Sequence, residues 1–255
     1  MMLLRRSLLC ALLVLPLAAV AQQGGYRTIG SETPTVEGPV EVLEFFWYGC
    51  GACYQFAPLV DAWKADLDEG VKFTRVPAVL NPNWRHHGKA FYTAEALGVT
   101  DRVHSQIFHS IHQQRRFLES EAEVRELFVS NGVDGDEFDA AWNSFAVDSQ
   151  IRRAERLARQ YQVRATPSMV VAGHYVSDPR AAGGLRELLD LTDRLTEQQR
   201  ADRSDCGRRP WRPHRQPCIR TDSWCSQYRR QAAPSRLRST PCGRHRCWNR
   251  RGPGA

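Results

Sequence analysis

Between residues 40 and 200 the apolar positions change their spacing several times, and each change marks an element. Residues 40–47 read as a strand, and from Val42 on they are apolar on both alternating faces, Val42, Glu44, Phe46 and Leu43, Phe45, Trp47, with Glu44 as the single carboxylate among those six. A strand apolar on both sides belongs in the middle of a covered sheet, so Glu44 is expected to be buried. From Cys53 onward Phe56, Leu59, Val60, Trp63 and Leu67 fall at helical spacing. They predict an amphipathic helix that holds Cys50 and Cys53 in its first turn, is kinked by Pro58 and ends at Gly70. Residues 71–79 read as the next strand.

Over residues 83–160 the pattern changes, and helical stripes follow one another. Successive stripes are Ala90, Phe91, Ala94, Leu97; then Val103, Ile107, Phe108, Ile111; then Val124, Leu127, Phe128, introduced by Ser120 with Glu123 three residues on, the signature of a capping box. Phe138, Ala141, Trp142 make a fourth, and a longer helix runs through Ile151, Ala154, Leu157, Ala158 and Tyr161. Strands return at 168–172, turn at Gly173-His174 into Tyr175-Val176, and a last helix covers 185–199. Strand, helix and strand, then a helical block, then a hairpin and a helix, predict an α/β domain interrupted by a helical insertion, with no internal repeat.

The ends differ from this middle. Residues 1–21 carry an arginine pair, a leucine-rich run and the small-x-small triplet Ala19-Val20-Ala21, the layout of a signal peptide cleaved after Ala21 and too short for a stable membrane span. A loose segment, 22–39, follows. With no other long apolar run, the mature protein is expected to be soluble in an exported, disulfide-permissive compartment. The net charge of +7 is lopsided, because residues 201–255 hold fourteen arginines against three aspartates, +11, while 1–200 carry 21 basic and 25 acidic groups, −4. That tail has one leucine, one isoleucine and no valine or phenylalanine, and cannot build a core. Of the eight cysteines, five lie in the tail and one in the export segment, so Cys50 and Cys53 are the only two between Gln22 and Arg200.

A pair spaced Cys-x-x-Cys has three ordinary uses. A zinc site needs two further ligands. His86-His87 and His104, His109, His112 lie on or beside amphipathic helices, where solvated or capping roles are expected, so no metal is assigned. A static disulfide between residues three apart closes too short a loop to restrict the unfolded chain much. The redox use fits the neighbours. Where strand hands over to helix, Cys50 sits at the helix N-terminus, whose free amides and dipole favour a thiolate, and Cys53 lies one turn deeper. A low-pKa thiol is also a good leaving group, so a disulfide through Cys50 is easily attacked. Glu44, buried, should hold its proton more tightly than usual and could exchange it with Cys53; pairing with Arg75 on the neighbouring strand is compatible with that.

VLEFFWYGCGACYQF, the later ATPSMVVAG, and ALGVTDRV and GVDGDEFDAAWNSFAV between them resemble the DsbA family of periplasmic thiol oxidases, over about residues 26–200. The resemblance implies a thioredoxin fold, residues 40–80 and 162–200, with an inserted helical domain, 81–161. It implies Cys50 as nucleophile, Cys53 as its partner, Glu44 as the buried acid beneath them, and Thr166 with a cis Pro167 as the substrate-binding platform. It further implies reduced exported proteins as substrates, a membrane quinone-linked DsbB-type reoxidant, a monomer, and no cofactor. Family members usually place a histidine before the second cysteine, whereas this chain has Gly51 and Ala52, so a less oxidising pair is expected. Arg75 stands where the family often has lysine.

The resemblance stops near residue 200. A basic arm for nucleic acid or anionic membrane, or a metal cluster of Cys242, His245 and Cys247, would give the tail a use. Neither has regular spacing, and the expectation is a disordered, frame-shifted extension with no nucleic-acid partner. A disulfide isomerase or reductase of the same fold and a non-enzymatic metal-binding module are the alternative functions. Isomerases of this compartment typically carry a dimerisation domain ahead of the thioredoxin fold, and only the loose segment precedes Val40 here.

Overall fold

The structure, a computed structural model, describes residues 24–30 and 38–208. The expected export segment, parts of 22–39, and the tail beyond Arg208 lie outside the described residues. In chain order the elements are β1 (Arg27–Thr28), β2 (Val40–Phe46), α1 (Gly51–Ala65), β3 (Val71–Pro77), a single 3-10 turn (Pro82–Trp84), α2 (Arg85–Ala96), α3 (Thr100–His112), α4 (Glu121–Ser130), α5 (Gly135–Trp142), α6 (Phe145–Gln160), β4 (Ser168–Val171), β5 (Tyr175–Ser177), α7 (Pro179–Ala182) and α8 (Leu185–Arg208).

The five strands form one sheet in the order β1-β5-β4-β2-β3. β2 runs parallel to β3, to which α1 is the crossover, and antiparallel to β4. β2 is thus central, as its two apolar faces predict. Val40 and Val42 pack with Phe56 and Val60 of α1 and with Leu188, Leu191 and Leu195 of α8. Leu43 and Phe45 point the other way, into the larger cluster that includes Phe91, Phe108, Ile151 and Trp142 of the helical block. The mixed sheet and the run of helices between β3 and β4 make this a thioredoxin fold with a helical insertion.

Several boundaries differ from the sequence reading, each for a local reason. β2 ends at Phe46, not Trp47, because Trp47 leaves the sheet for a turn in which its carbonyl accepts the Cys50 N–H at 3.0 Å. α8 continues through Arg208, so the first eight residues assigned to the tail are helical. β1 is a two-residue edge strand against β5, too short to carry a periodicity. The capping box at Ser120 is present, with the Glu123 side chain returning to the Ser120 N–H. Among the described residues no helix is long and apolar enough to cross a membrane.

Candidate active site

The site forms where β2, the start of α1 and the start of β4 meet. β2 delivers the chain through Trp47, Tyr48 and Gly49 to Cys50, which is the N-cap of α1, with φ −89° and ψ 116°. Its sulfur accepts the Cys53 N–H at 3.2 Å, so an amide left free by the helix start is spent on it. Antiparallel pairing of Phe45 with Ser168 brings the segment before β4 to the same end of the sheet. The protonated Cys50 thiol donates to the Thr166 carbonyl at 3.3 Å, and the Thr166–Pro167 peptide bond is cis. Cys50, Cys53, Thr166 and Pro167 therefore share one site.

The two sulfurs are free thiols in very different surroundings. Cys50 is half-buried and Cys53 fully buried. The hydrogen bond from the Cys53 thiol holds Cys50 down to about 6, against the opposing effect of burial, and the Thr166 side chain and the amides of Cys53 and Ala52 add to it. Burial pushes the Cys53 thiol far above its usual range, and sharing its proton with Cys50 pushes it further. Near neutral pH the pair is one thiolate at the surface and one thiol beneath it.

Glu44 lies on the α1 side of β2, with only 2 % of its surface exposed. Burial raises its pKa above the ordinary carboxylate value, and Arg75, directly across the parallel pairing, offsets part of the rise. Arg75 Nε donates to Glu44 Oε2 at 2.9 Å, the pairing read from the sequence.

The helical insertion contributes residues whose roles the sequence reading missed. Tyr48 is buried; its hydroxyl is hydrogen-bonded to His104 Nδ1 at 2.8 Å, and its carbonyl accepts from His112 Nε2 at 2.8 Å. Both histidines are on α3, eight residues apart, so this helix grips the residue two before Cys50 at two points. His112 also stacks on Tyr54 of α1. His87 is buried and donates from Nε2 to the Phe117 carbonyl. His87 and His104 are thus packed and bonded inside the protein, not solvated or capping as expected, whereas His109 is exposed. Burial, with Arg75 and Lys64 nearby, lowers His104 to about 3, so it is a neutral partner for Tyr48. Among the described residues no three His, Cys, Asp or Glu side chains converge as a metal site.

Trp47 stacks face to face on Trp84, with ring centres 4.0 Å apart. A side chain on Gly49 would run into the Trp47 ring. Gly49→Ala is therefore expected to break this stack and to lower stability by about 1–3 kcal/mol, the usual cost of overpacking. Gly51→Ala should be close to neutral, since a Cβ there meets nothing within 4 Å. Denaturant unfolding of the two variants tests the contrast.

The model of the DSBA-like thioredoxin domain matches residues 61–190, a span that begins just after the cysteines. The thiol:disulfide interchange protein DsbA of Azotobacter vinelandii is 42 % identical over 177 residues, 69 % of this chain and 83 % of that protein. Its counterpart in Pseudomonas aeruginosa is 38 % identical over 207 residues, 78 % of this chain and 98 % of that protein. The crystal structure of Pseudomonas aeruginosa DsbA superposes with a TM-score of 0.67 at 38 % identity, covering 71 % of this chain and 95 % of that one. A Proteus mirabilis DsbA solved with a non-covalently bound peptide, PWATCDS, superposes with a TM-score of 0.59 at 26 % identity, covering 71 % of this chain and 98 % of that one.

Proposed function

This chain belongs to the DsbA family and is a protein thiol:disulfide oxidoreductase, and from that premise we propose that it is a dithiol oxidase giving its Cys50–Cys53 disulfide to newly exported proteins. The observation that carries the reading is the asymmetry of the pair, a half-buried Cys50 held down to about 6 beside a buried Cys53 held far up. Such a pair favours the reduced state of the enzyme, and so drives its disulfide onto others.

A substrate thiolate attacks Cys50 Sγ. The bond to Cys53 breaks, its electron pair leaves on Cys53, and a proton from Glu44 makes the buried thiol. A second substrate thiolate then attacks the substrate sulfur of the mixed disulfide, which forms the substrate disulfide and releases Cys50 as a thiolate. Two electrons have passed from substrate to enzyme. The substrate chain lies extended along Thr166 and Pro167, a reading supported by the 3.3 Å approach of Cys50 to the Thr166 carbonyl and by the relative solved with a bound peptide. The setting is the periplasm, reached through a signal peptide cleaved after Ala21, where a membrane quinone-linked protein of the DsbB type reoxidises a monomeric enzyme. Oxidation of a fully reduced two-cysteine peptide, compared with unscrambling of a mispaired one, tests the proposal. Fast oxidation with little unscrambling is expected, and the opposite pattern would make the chain an isomerase.

The dipeptide Gly51-Ala52 sets the strength of the oxidant. Ala52 is exposed, so Ala52→His adds an imidazole at the site's rim without displacing packed atoms. It should lower the Cys50 pKa and shift the equilibrium with glutathione toward reduced enzyme by roughly tenfold, about 30 mV. Measured equilibrium constants for the two proteins check this.

A further inference from the structure

Arg75 is held at both ends of its guanidinium. Nε donates inward to Glu44 Oε2 at 2.9 Å, and Nη2 donates outward to Asp61 Oδ1 at 2.8 Å. The three side chains step from core to solvent, 2 % exposed for Glu44, 11 % for Arg75 and 55 % for Asp61. Asp61 comes from α1, two turns beyond Cys53, and lines a groove of about 650 Å³ with Tyr54, Ala57 and Pro58 of the same helix and His104 and Phe108 of α3.

A guanidinium keeps its proton and has no acceptor, so Arg75 cannot hand a proton along this line. What it can transmit is charge and position. Its planar fork reaches two carboxylates at once, which the single nitrogen of a lysine could not do in the same geometry. A cation given wholly to Glu44 would favour the ionised acid strongly; one shared with a second carboxylate favours it less.

We infer that Asp61 is a positioning residue for the buried acid: it anchors the outer arm of Arg75 and thereby sets how tightly Glu44 holds its proton. The inference rests on the proposed role of Glu44 as proton donor to Cys53. The other groups facing the bridge add little that varies. His104 on α3 is held neutral by burial, Tyr48 is held protonated by burial, and the Phe73 ring lies 5.8 Å from the Arg75 guanidinium carbon.

The test is the titration of the Glu44 carboxyl carbon in reduced protein labelled with carbon-13 glutamate, its signal assigned by its loss in Glu44→Gln. In Asp61→Asn the midpoint is expected to fall by roughly half a pH unit or more, while Asp66→Asn, at an exposed acid that caps the C-terminal end of α1 and has no link to Arg75, leaves it in place. A midpoint unchanged or raised in Asp61→Asn, or an equal fall in Asp66→Asn, overturns the inference. The pH profile of peptide oxidation separates the two readings: if Glu44→Gln leaves that profile unchanged, Glu44 is not the proton donor, and the carbon titration still decides whether Asp61 controls it.

Discussion

Cys50→Ser abolishes disulfide transfer, with a fall of at least about a thousandfold in the rate of peptide oxidation, because a serine oxygen can neither form the enzyme disulfide nor leave from a mixed one. Cys53→Ser fails differently. Cys50 keeps its place as N-cap and its approach to Thr166, so it still forms mixed disulfides, but the buried thiol that would displace a stalled substrate is gone. Covalent complexes through Cys50 should therefore accumulate in Cys53→Ser and be missing from Cys50→Ser. Mass spectrometry of each variant incubated with a disulfide-bonded peptide reads this directly. Equal trapping by both variants would mean that the cysteines do not divide their work as their burial implies.

The second large effect is on the pH dependence of Cys50. With its thiol held down to about 6, by the Cys53 thiol first and against its burial, Cys50 is about nine-tenths thiolate at pH 7, whereas an ordinary cysteine is only a few per cent so. Alkylation of the reduced protein should follow a midpoint near pH 6 and modify Cys50 alone, with Cys53 silent. The same shift is a stability statement. A depressed pKa stabilises the fold fully above the unfolded value, here 9.0, loses that contribution as pH falls from 9 toward 6, and contributes nothing below it. The gap in stability between reduced wild type and Cys50→Ser should thus grow between pH 6 and pH 9. Three pH units correspond to about 4 kcal/mol, and solvent screening of a half-exposed sulfur reduces this to roughly 2 kcal/mol. A gap that is flat with pH would mean that the thiolate is not specially stabilised.

That midpoint also bears on oxidising strength. A Cys50 near 6 lies between values of about 7 for thioredoxin and about 3.5 for a strongly oxidising DsbA. The helix start and the Cys53 thiol carry the activation, and no imidazole stands between the cysteines to extend it.

What the sequence made legible was whatever is encoded by local period. The two-faced run at 40–47 identified a central strand and with it the burial of Glu44, and the spacing from Phe56 to Trp63 placed Cys50 at a helix start. Its place on the neighbouring predicted strand even made Arg75 a reasonable partner for Glu44, and the register of the sheet sets the two directly across from each other. The histidines show where such reading runs out. His104 shares a stripe with Phe108 and Ile111, so its inward face was readable, but its partner, Tyr48, is 56 residues away in sequence. A polar residue type and a missing long-range partner together suggested solvent. Trp47 failed in the opposite sense: its alternation fitted β2, yet stacking on Trp84 and the turn to Cys50 took it out of the sheet. Asp61 has no signal of its own at all, being an acid on the exposed side of an amphipathic helix until Arg75 reaches it.

The direction in which the disulfide travels is measured most directly by one single-turnover experiment. Protein carrying the Cys50–Cys53 disulfide is mixed with an excess of reduced two-cysteine peptide, without glutathione, and both are quenched with acid and analysed by mass. One peptide disulfide formed for each enzyme disulfide lost, within seconds and with a transient adduct at Cys50, is the expected result. An enzyme that stays oxidised while the peptide stays reduced would contradict the proposal that this chain gives its disulfide away.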